Sequence, residues 1–424
     1  MIEKYENGDW EEFELVNGIK EGDAIFYYSE GHREEFSYKD GIKEGDAIFY
    51  YSEGHREEFS YKDGIKEGDA ILYYSDGSRE EYCYKNGKEE GEAIAYYANR
   101  KEEFTYVNGV KQGDTVTYYL NGDRLEEIYV EGILQGKAIH YYNGGHKLEY
   151  YYVDGVKQGN AVLYYSNGNK EEWFFKDGIR EGEAIAYYTD GKEEYTYVNG
   201  KKQGNSIFYS KNGDKEKYIY VDDKREGKAI FYSKNGDRLE YTYINGVEQG
   251  KAITYLKNGN RVEGFFKDGK RSKEEIIYFT DGSREEYCYD YEGELKQGKA
   301  IYYYPNGDKM DFSYIDGIEQ GRAIYYYAAG DREEFSYKDG IKEGEAIFYS
   351  EDGIRLEFTY VEGERQGNAT IYSPDGKKYY AYYEDGKLKE RMVNKIFKKF
   401  TKDNIFNTIQ QFNDYMQDFN NKRK

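Results

Sequence analysis

The sequence predicts an all-β fold, an elongated single-layer antiparallel meander of β-hairpin repeats about 23 residues long, with a C-terminal helical segment. Three observations carry this expectation. Residues 19–41, IKEGDAIFYYSEGHREEFSYKDG, recur letter for letter at 42–64, and diverged copies continue to Gly386. Self-similarity at a short period marks a repeat array in which each unit contacts only its neighbours. Glycines punctuate every copy at matching places. Finally, the chain is only 38% hydrophobic yet holds 55 Tyr and 22 Phe, so aromatic rings must supply the buried area.

The turns come first. An Asp-Gly or Asn-Gly pair closes most copies, at Gly18, Gly41, Gly64, Gly87 and onward, with Asp223 standing where one glycine is missing. Such pairs between alternating apolar runs are the strongest short-range hairpin signal. A second glycine follows four residues later (Gly22, Gly45, Gly68), and a third lies mid-repeat (Gly31, Gly54, Gly77). Between them fall two strands per copy, expected at residues 23–29 and 33–39. Side chains alternate along a strand. We expect Ile25, Tyr27, Phe36 and Tyr38 to form one continuous face, and Ala24, Glu35 and Ser37 the other, together with Phe26 and Tyr28.

The pattern G-x-x-x-G-x-A-I-x-Y-Y-x-x-G-x-x-x-E-x-x-Y-x-x-G resembles the variant MORN repeat common in bacterial proteins, over roughly residues 3–386. The resemblance implies a non-enzymatic repeat protein. It also brings in MORN-like antitoxins and immunity partners, for which a basic toxin would be the counterpart.

Charge bounds the partners. The chain carries 61 Lys and Arg against 83 Asp and Glu, a net of −22. A broad negative potential repels nucleic acid and anionic bilayers, so a protein partner is expected, no nucleic acid, and no membrane contact except through the tail. Cys83 and Cys288 occupy the same place in two copies of DGSREEYCY and would lie far apart, so no disulfide is expected. No apolar leader and no stretch long enough to span a bilayer is evident. Cytoplasmic localisation is the default expectation.

Residues 1–386 read as the array, starting in mid-repeat. Copies are irregular at Ala98-Asn99-Arg100, which is one residue short, and at Gly264, Ser272 and Lys273; a bend is expected over 264–298. Residues 387–424 lack turn glycines, carry a net of +6, and read as an amphipathic basic helical tail or cap. Ile396, Phe400, Phe406, Ile409, Phe412 and Met416 are its candidate contact residues.

No catalytic, metal or cofactor constellation is evident. His32 and His55 are copies of one turn position. The repeated Glu-Glu pairs (Glu34-Glu35, Glu80-Glu81) sit beside Lys and Arg and read as cross-strand ion pairs. The expected function is a non-enzymatic scaffold for protein–protein interaction. Its candidate binding stripe is taken as exposed: Tyr28, Tyr51, Tyr74, Tyr97, Tyr119, Tyr142, Tyr165 and Tyr188. Glycan binding by the aromatic hairpins is the alternative; cell-wall repeats of that kind use Trp, and only Trp10 and Trp173 are present. At about 4.8 Å per strand, roughly 34 strands would extend on the order of 160 Å. Small-angle scattering is expected to give a rod-like profile, and a compact globule would overturn the meander.

Overall fold

The repeat closes through turns that only certain residues can make. In the first of two identical copies, Asp40 and Gly41 have φ of 50° and 82°, the left-handed pair of a type I′ turn. This turn joins the strand Arg33–Lys39 to a two-residue strand, Ile42–Lys43, with Lys39 opposite Ile42 and Tyr38 opposite Lys43. The chain then re-enters the sheet at Gly45–Tyr50. The other turn spans residues 28–32. There the Gly31 amide donates to the Tyr28 carbonyl and the Tyr28 amide to the His32 carbonyl. Asp223, at φ 68°, makes the turn where glycine is missing.

The computed structural model describes residues 1–289 and 295–389. Among them the structure is all-β, an antiparallel single-layer meander of hairpins. The tail residues assigned to a helix lie outside the described residues. Lys387–Leu388 is a strand paired with Lys378–Glu384, so hairpin pairing runs two residues past Gly386. The chain divides into two units, residues 1–211 with 220–223, and residues 212–219 with those from 224 onward.

In the first unit, Gly22–Tyr27 pairs with Arg33–Lys39 in the register Gly22–Tyr38, Ala24–Phe36, Phe26–Glu34 and Tyr27–Arg33. Directly opposed residues share a face. One face therefore holds Ala24, Phe26, Glu34, Phe36 and Tyr38, and the other Ile25, Tyr27, Arg33, Glu35 and Ser37. This corrects the expected partition, which put Ile25 and Tyr27 with Phe36 and Tyr38. Alternation along each strand was right. The register across the turn is odd with respect to that guess, and a one-residue difference transfers a whole strand to the opposite face.

The Phe36 face is the packed one. Ala24, Phe36, Ala47, Phe59, Ala70, Tyr82 and Phe104 are buried along it. Small alanines on one strand oppose rings on the next (Ala24–Phe36, Ala47–Phe59), so each ring has room to lie down. Phe36 meets Tyr38 edge-on at 5.1 Å and Tyr61 of the next copy at 6.4 Å, geometry that aromatic pairs favour.

The second unit repeats the scheme. Ala323 opposes Phe335, Tyr325 opposes Glu333, and Tyr326 opposes Arg332. Its packed face is closed more fully, with Tyr325, Tyr327, Phe348, Phe358 and Tyr383 buried. At Gly264 the missing ring leaves room for Glu275, which an added Cβ would meet at 3.3 Å, and Arg271 pairs with Glu275 at 2.6 Å. Ser272 stands in for the second glycine, its hydroxyl accepting from the Phe265 amide at 3.1 Å.

Gly64 has φ +79°, and a Cβ there would sit 3.2 Å from Ile42 Cγ2. Gly64→Ala is expected to cost about 1–2 kcal/mol from the left-handed backbone alone, read as a lower denaturation midpoint. An unchanged midpoint would refute the turn assignment.

Candidate functional site

Three surfaces recur along the array: the packed face, the opposite open face, and the edge formed by the type I′ turns.

The packed face is built on a buried carboxylate. Glu34 is 2% exposed. It accepts from the Tyr28 hydroxyl (3.0 Å), from Lys43 Nζ (2.7 Å) and from the Tyr61 hydroxyl of the next copy (2.6 Å). Lys43 Nζ lies 3.8 Å over the Phe36 ring and 4.8 Å over Tyr61. Glu57 repeats this with Tyr51, Lys66, Tyr82 and Tyr84. Burial, the largest influence on Glu57, raises its pKa, but Lys66 and the Tyr82 and Tyr84 hydroxyls together outweigh it and hold the carboxyl below its ordinary value. In the second unit Glu333 is likewise held low against burial by Lys342, Arg365 and Tyr360. Tyr28, Tyr51 and Tyr74 are pushed up, first by burial and then by the carboxylates they face.

The buried pair is replaced in some copies. Leu125 and Leu134 stand where Glu34 and Lys43 would be. One copy on, Leu148 faces the space of Lys157, whose ammonium sits 4.3 Å over the Tyr150 ring and is held below its ordinary pKa by burial. Glu127, in the place of Phe36, is raised by burial.

The open face carries a rail of cations on rings. Arg33 lies 4.3 Å over Tyr50, Arg56 4.5 Å over Tyr73 and Arg79 4.3 Å over Tyr96. Each also pairs with the acid two residues on, as Arg33 does with Glu35 at 2.8 Å. The second unit has the same rail, with Arg332 4.2 Å over Tyr349.

From residue 107 to 156 the turn edge is apolar and exposed, whereas in other copies a lysine takes one side, as Lys39 does opposite Ile42. In the first unit Val107 opposes Val110, Val130 opposes Ile133, and Val153 opposes Val156. Val130 and Ile133 are 44% and 48% exposed. Val110 Cγ1 lies 3.2 Å from where a Gly132 Cβ would be, so each pair abuts the next turn and the row is continuous from copy to copy. Glu131 and Asp154 punctuate it with negative charge. The second unit has Ile244 opposite Val247 and Ile315 opposite Ile318.

These observations correct the exposure expected of the tyrosine stripe. Tyr28, Tyr51, Tyr74, Tyr97, Tyr119, Tyr142, Tyr165 and Tyr188 are half-buried, not exposed. Their rings belong to the packed face, and Tyr28, Tyr51, Tyr74, Tyr165 and Tyr188 give their hydroxyls to the buried glutamates. The tail set from Ile396 to Met416 lies outside the described residues. The exposed turn-edge row was missed, although its signal, an aliphatic on either side of the Asx-Gly pair, is in the sequence. Of the Glu-Glu pairs, the interior first member makes the expected cross-strand ion pair, Glu34 with Lys43 and Glu57 with Lys66, while the second pairs with the Arg two residues before it on its own strand, as Glu35 does with Arg33.

The histidines at mid-repeat turns hold copies together. His32 Nδ1 accepts from the Ser52 amide and His55 Nδ1 from the Ser75 amide, at 2.9 and 3.0 Å. His140 instead stacks on Tyr142 at 4.0 Å. Cys83 and Cys288 are free thiols. Among the described residues no group of three or more His, Cys, Asp or Glu could hold a metal ion, and no helix is long and apolar enough to cross a membrane.

The MORN repeat family profile matches at residues 151–170, 219–238, 291–309 and 359–378. No curated protein sequence matches the chain. Among solved structures, the TCP domain of SAS-4 (dCPAP) from Drosophila melanogaster, in complex with a proline-rich motif of Ana2 (dSTIL), is similar at 13% identity. The match covers 37% of this chain and 85% of that one, with a TM-score of 0.25.

Two outcomes follow for the buried pair. Glu34→Leu strands Lys43 and is expected to cost about 2–3 kcal/mol, somewhat under the usual cost of breaking a buried pair because Lys43 is partly exposed. Adding Lys43→Leu, which copies Leu125 and Leu134, is expected to recover much of this; strict additivity in a double-mutant cycle would refute the coupling. For Glu57, a depressed carboxyl contributes stability above its ordinary value of 4.5 and loses it as pH falls through the lower folded value. Glu57→Gln is therefore expected to flatten the acid limb of the stability–pH curve, and an unchanged limb would count against the pairing.

Proposed function

Because the chain is a MORN repeat protein, we propose that it is a non-enzymatic scaffold whose turn edge binds a protein partner. The observation that carries this reading is the row of exposed aliphatic pairs, Val107–Val110, Val130–Ile133 and Val153–Val156. Contiguous exposed apolar surface marks interaction sites. The other two surfaces are less available: packed-face polar groups serve one another, and the open-face arginines are engaged with rings and acids.

The chemistry of the partner follows from what surrounds the row. Glu131 and Asp154 stand between the aliphatics, and the chain carries a net charge of −22. A partner presenting apolar side chains interleaved with Lys or Arg fits both features, and the charge would steer its approach. The same charge disfavours an anionic bilayer, the other surface to which MORN repeats commonly bind. A basic toxin neutralised by this chain is a particular case of the reading, favoured by that charge alone.

Affinity capture with the full chain, followed by direct titration of the captured protein, tests the proposal. Val130→Ser/Ile133→Ser/Val153→Ser is expected to weaken binding by about tenfold or more, equivalent to about 1.4 kcal/mol, and added salt to slow association. Binding unmoved by this variant but lost with Tyr28→Ser/Tyr51→Ser/Tyr74→Ser would return recognition to the tyrosines and overturn the turn-edge assignment.

A further inference from the structure

We propose that the notch over Ala186 in the first unit is a binding site for a neutral, hydroxyl-rich ring of the pyranose class. In other copies a bulky side chain fills the equivalent place. Phe49 lies on the packed face between Glu34 and Glu57, each directly opposite it on a neighbouring strand. Phe26 and Leu72 hold the same position in adjacent copies. In the copy at 179–198 the position is Ala186, between Glu171 and Glu193. The missing ring leaves an open depression of about 460 Å³ lined by Tyr165, Tyr188, Tyr197, Asn169, Glu171 and Lys202, among others. That volume is in the range of small-molecule sites.

A second, independent feature points into the same place. In many copies the residue after the mid-repeat glycine accepts a backbone amide from 20 residues on. Asp9 does so from Ser29, His32 from Ser52, Asp123 from Asn143 and His146 from Ser166. For Asn169 the donor would be Thr189. But this copy's turn is shortened, closing with the Tyr188 amide on the Gly191 carbonyl, and Asn169 Oδ1 is buried with no hydrogen-bond partner. A buried polar atom left unpaired costs free energy that a ligand hydroxyl can recover.

The sister copy shows how the same gap can be closed. Ala95 also replaces the phenylalanine in a shortened copy, but there Arg100 folds 3.9 Å over the Tyr97 ring. Gly191 occupies the place of Arg100. A Cβ on Gly191 would stand 2.2 Å from the Tyr209 carbonyl oxygen, so no side chain can fill the space from that side.

The lining selects the ligand class. Tyrosine rings supply stacking surface. Glu171 and Asn169 offer acceptors and Lys202 a donor, with the Tyr165 hydroxyl already on Glu171 at 3.0 Å. The charged groups of the lining are already engaged, Lys170 with Glu172, Lys202 with Glu193 and Glu171 with the Tyr165, Tyr195 and Tyr197 hydroxyls, so neither a cation nor an anion is favoured, while hydroxyls both donate and accept. This inference is independent of the turn-edge reading, which concerns a different surface.

Saturation-transfer difference NMR on the full chain tests it, with methyl glucoside, methyl galactoside and methyl N-acetylglucosaminide as probes and tetramethylammonium as the cationic control. Transfer from aromatic protons to at least one pyranoside is expected. The transfer should be lost in Ala186→Phe, which restores the residue of positions 26 and 49, and reduced in Asn169→Ala, which removes the orphaned acceptor without filling the notch. It should persist in Val130→Ser/Ile133→Ser/Val153→Ser. No transfer to any pyranoside, transfer unchanged in both notch variants, or transfer to tetramethylammonium alone would overturn the assignment.

Discussion

A single-layer sheet has no second layer to close its packed face, and the buried glutamate answers that problem. In each unit the carboxylate reaches beyond its own copy. Glu34 takes hydroxyls from Tyr28 and from Tyr61, which belong to successive copies, and an ammonium from the lysine at the end of its own strand pair. Burying a charge pair costs desolvation that the attraction of the pair alone often fails to recover. Here several donors share one carboxylate, and charge-assisted hydrogen bonds are the stronger kind. The lysine stem and ammonium also cover the face of the neighbouring ring, so one residue both satisfies the acid and seals the aromatic layer. The network therefore ties neighbouring copies in register as well as adding stability.

The network is adaptable because its parts exchange in sets. Leu125 with Leu134 replaces both members at once, leaving no stranded charge. In the second unit Leu356 replaces a glutamate while Arg365 stays, and Arg365 turns to the preceding acid, so that Glu333 faces both Lys342 and Arg365 at 3.8 Å. Lys157 has no such recourse within its copy and rests on Tyr150 instead, its ammonium disfavoured by burial. The paired leucines and Arg365 follow the electrostatic rule that a buried charge keeps a partner or is removed with it, and Lys157 departs from it.

Much of this was legible in the sequence, and the remainder failed for a definite reason. The period, the turn glycines and the second strand, Arg33–Lys39, were readable because Asx-Gly pairs and alternation are local signals. Which strand faces join was not, because it depends on the register across residues 28–32, where Tyr27 comes to oppose Arg33. Once that register is misjudged, Tyr28 is taken for a surface residue when its hydroxyl lies on a buried carboxylate. The two-residue strand Ile42–Lys43 was also unseen, being too short to alternate, and with it went the turn-edge row and the role of Lys43. The notch at Ala186 was visible only as a short copy; that Asn169 loses its donor there is a consequence of three-dimensional stacking.

A repeat array gains a distinct site most easily by losing something. Most copies carry the same rings and turn, and many the same buried acid, so an added residue must displace a packed neighbour. Removing the ring at position 186 and shortening its turn instead exposes groups that already exist: tyrosines on either side, a carboxylate, and an acceptor whose donor has been withdrawn. Ala95 shows that the removal alone is insufficient, since Arg100 closes that gap by lying on Tyr97. The difference between a silent irregularity and a candidate site thus comes down to one position, Arg100 against Gly191, where backbone contact with Tyr209 excludes any side chain.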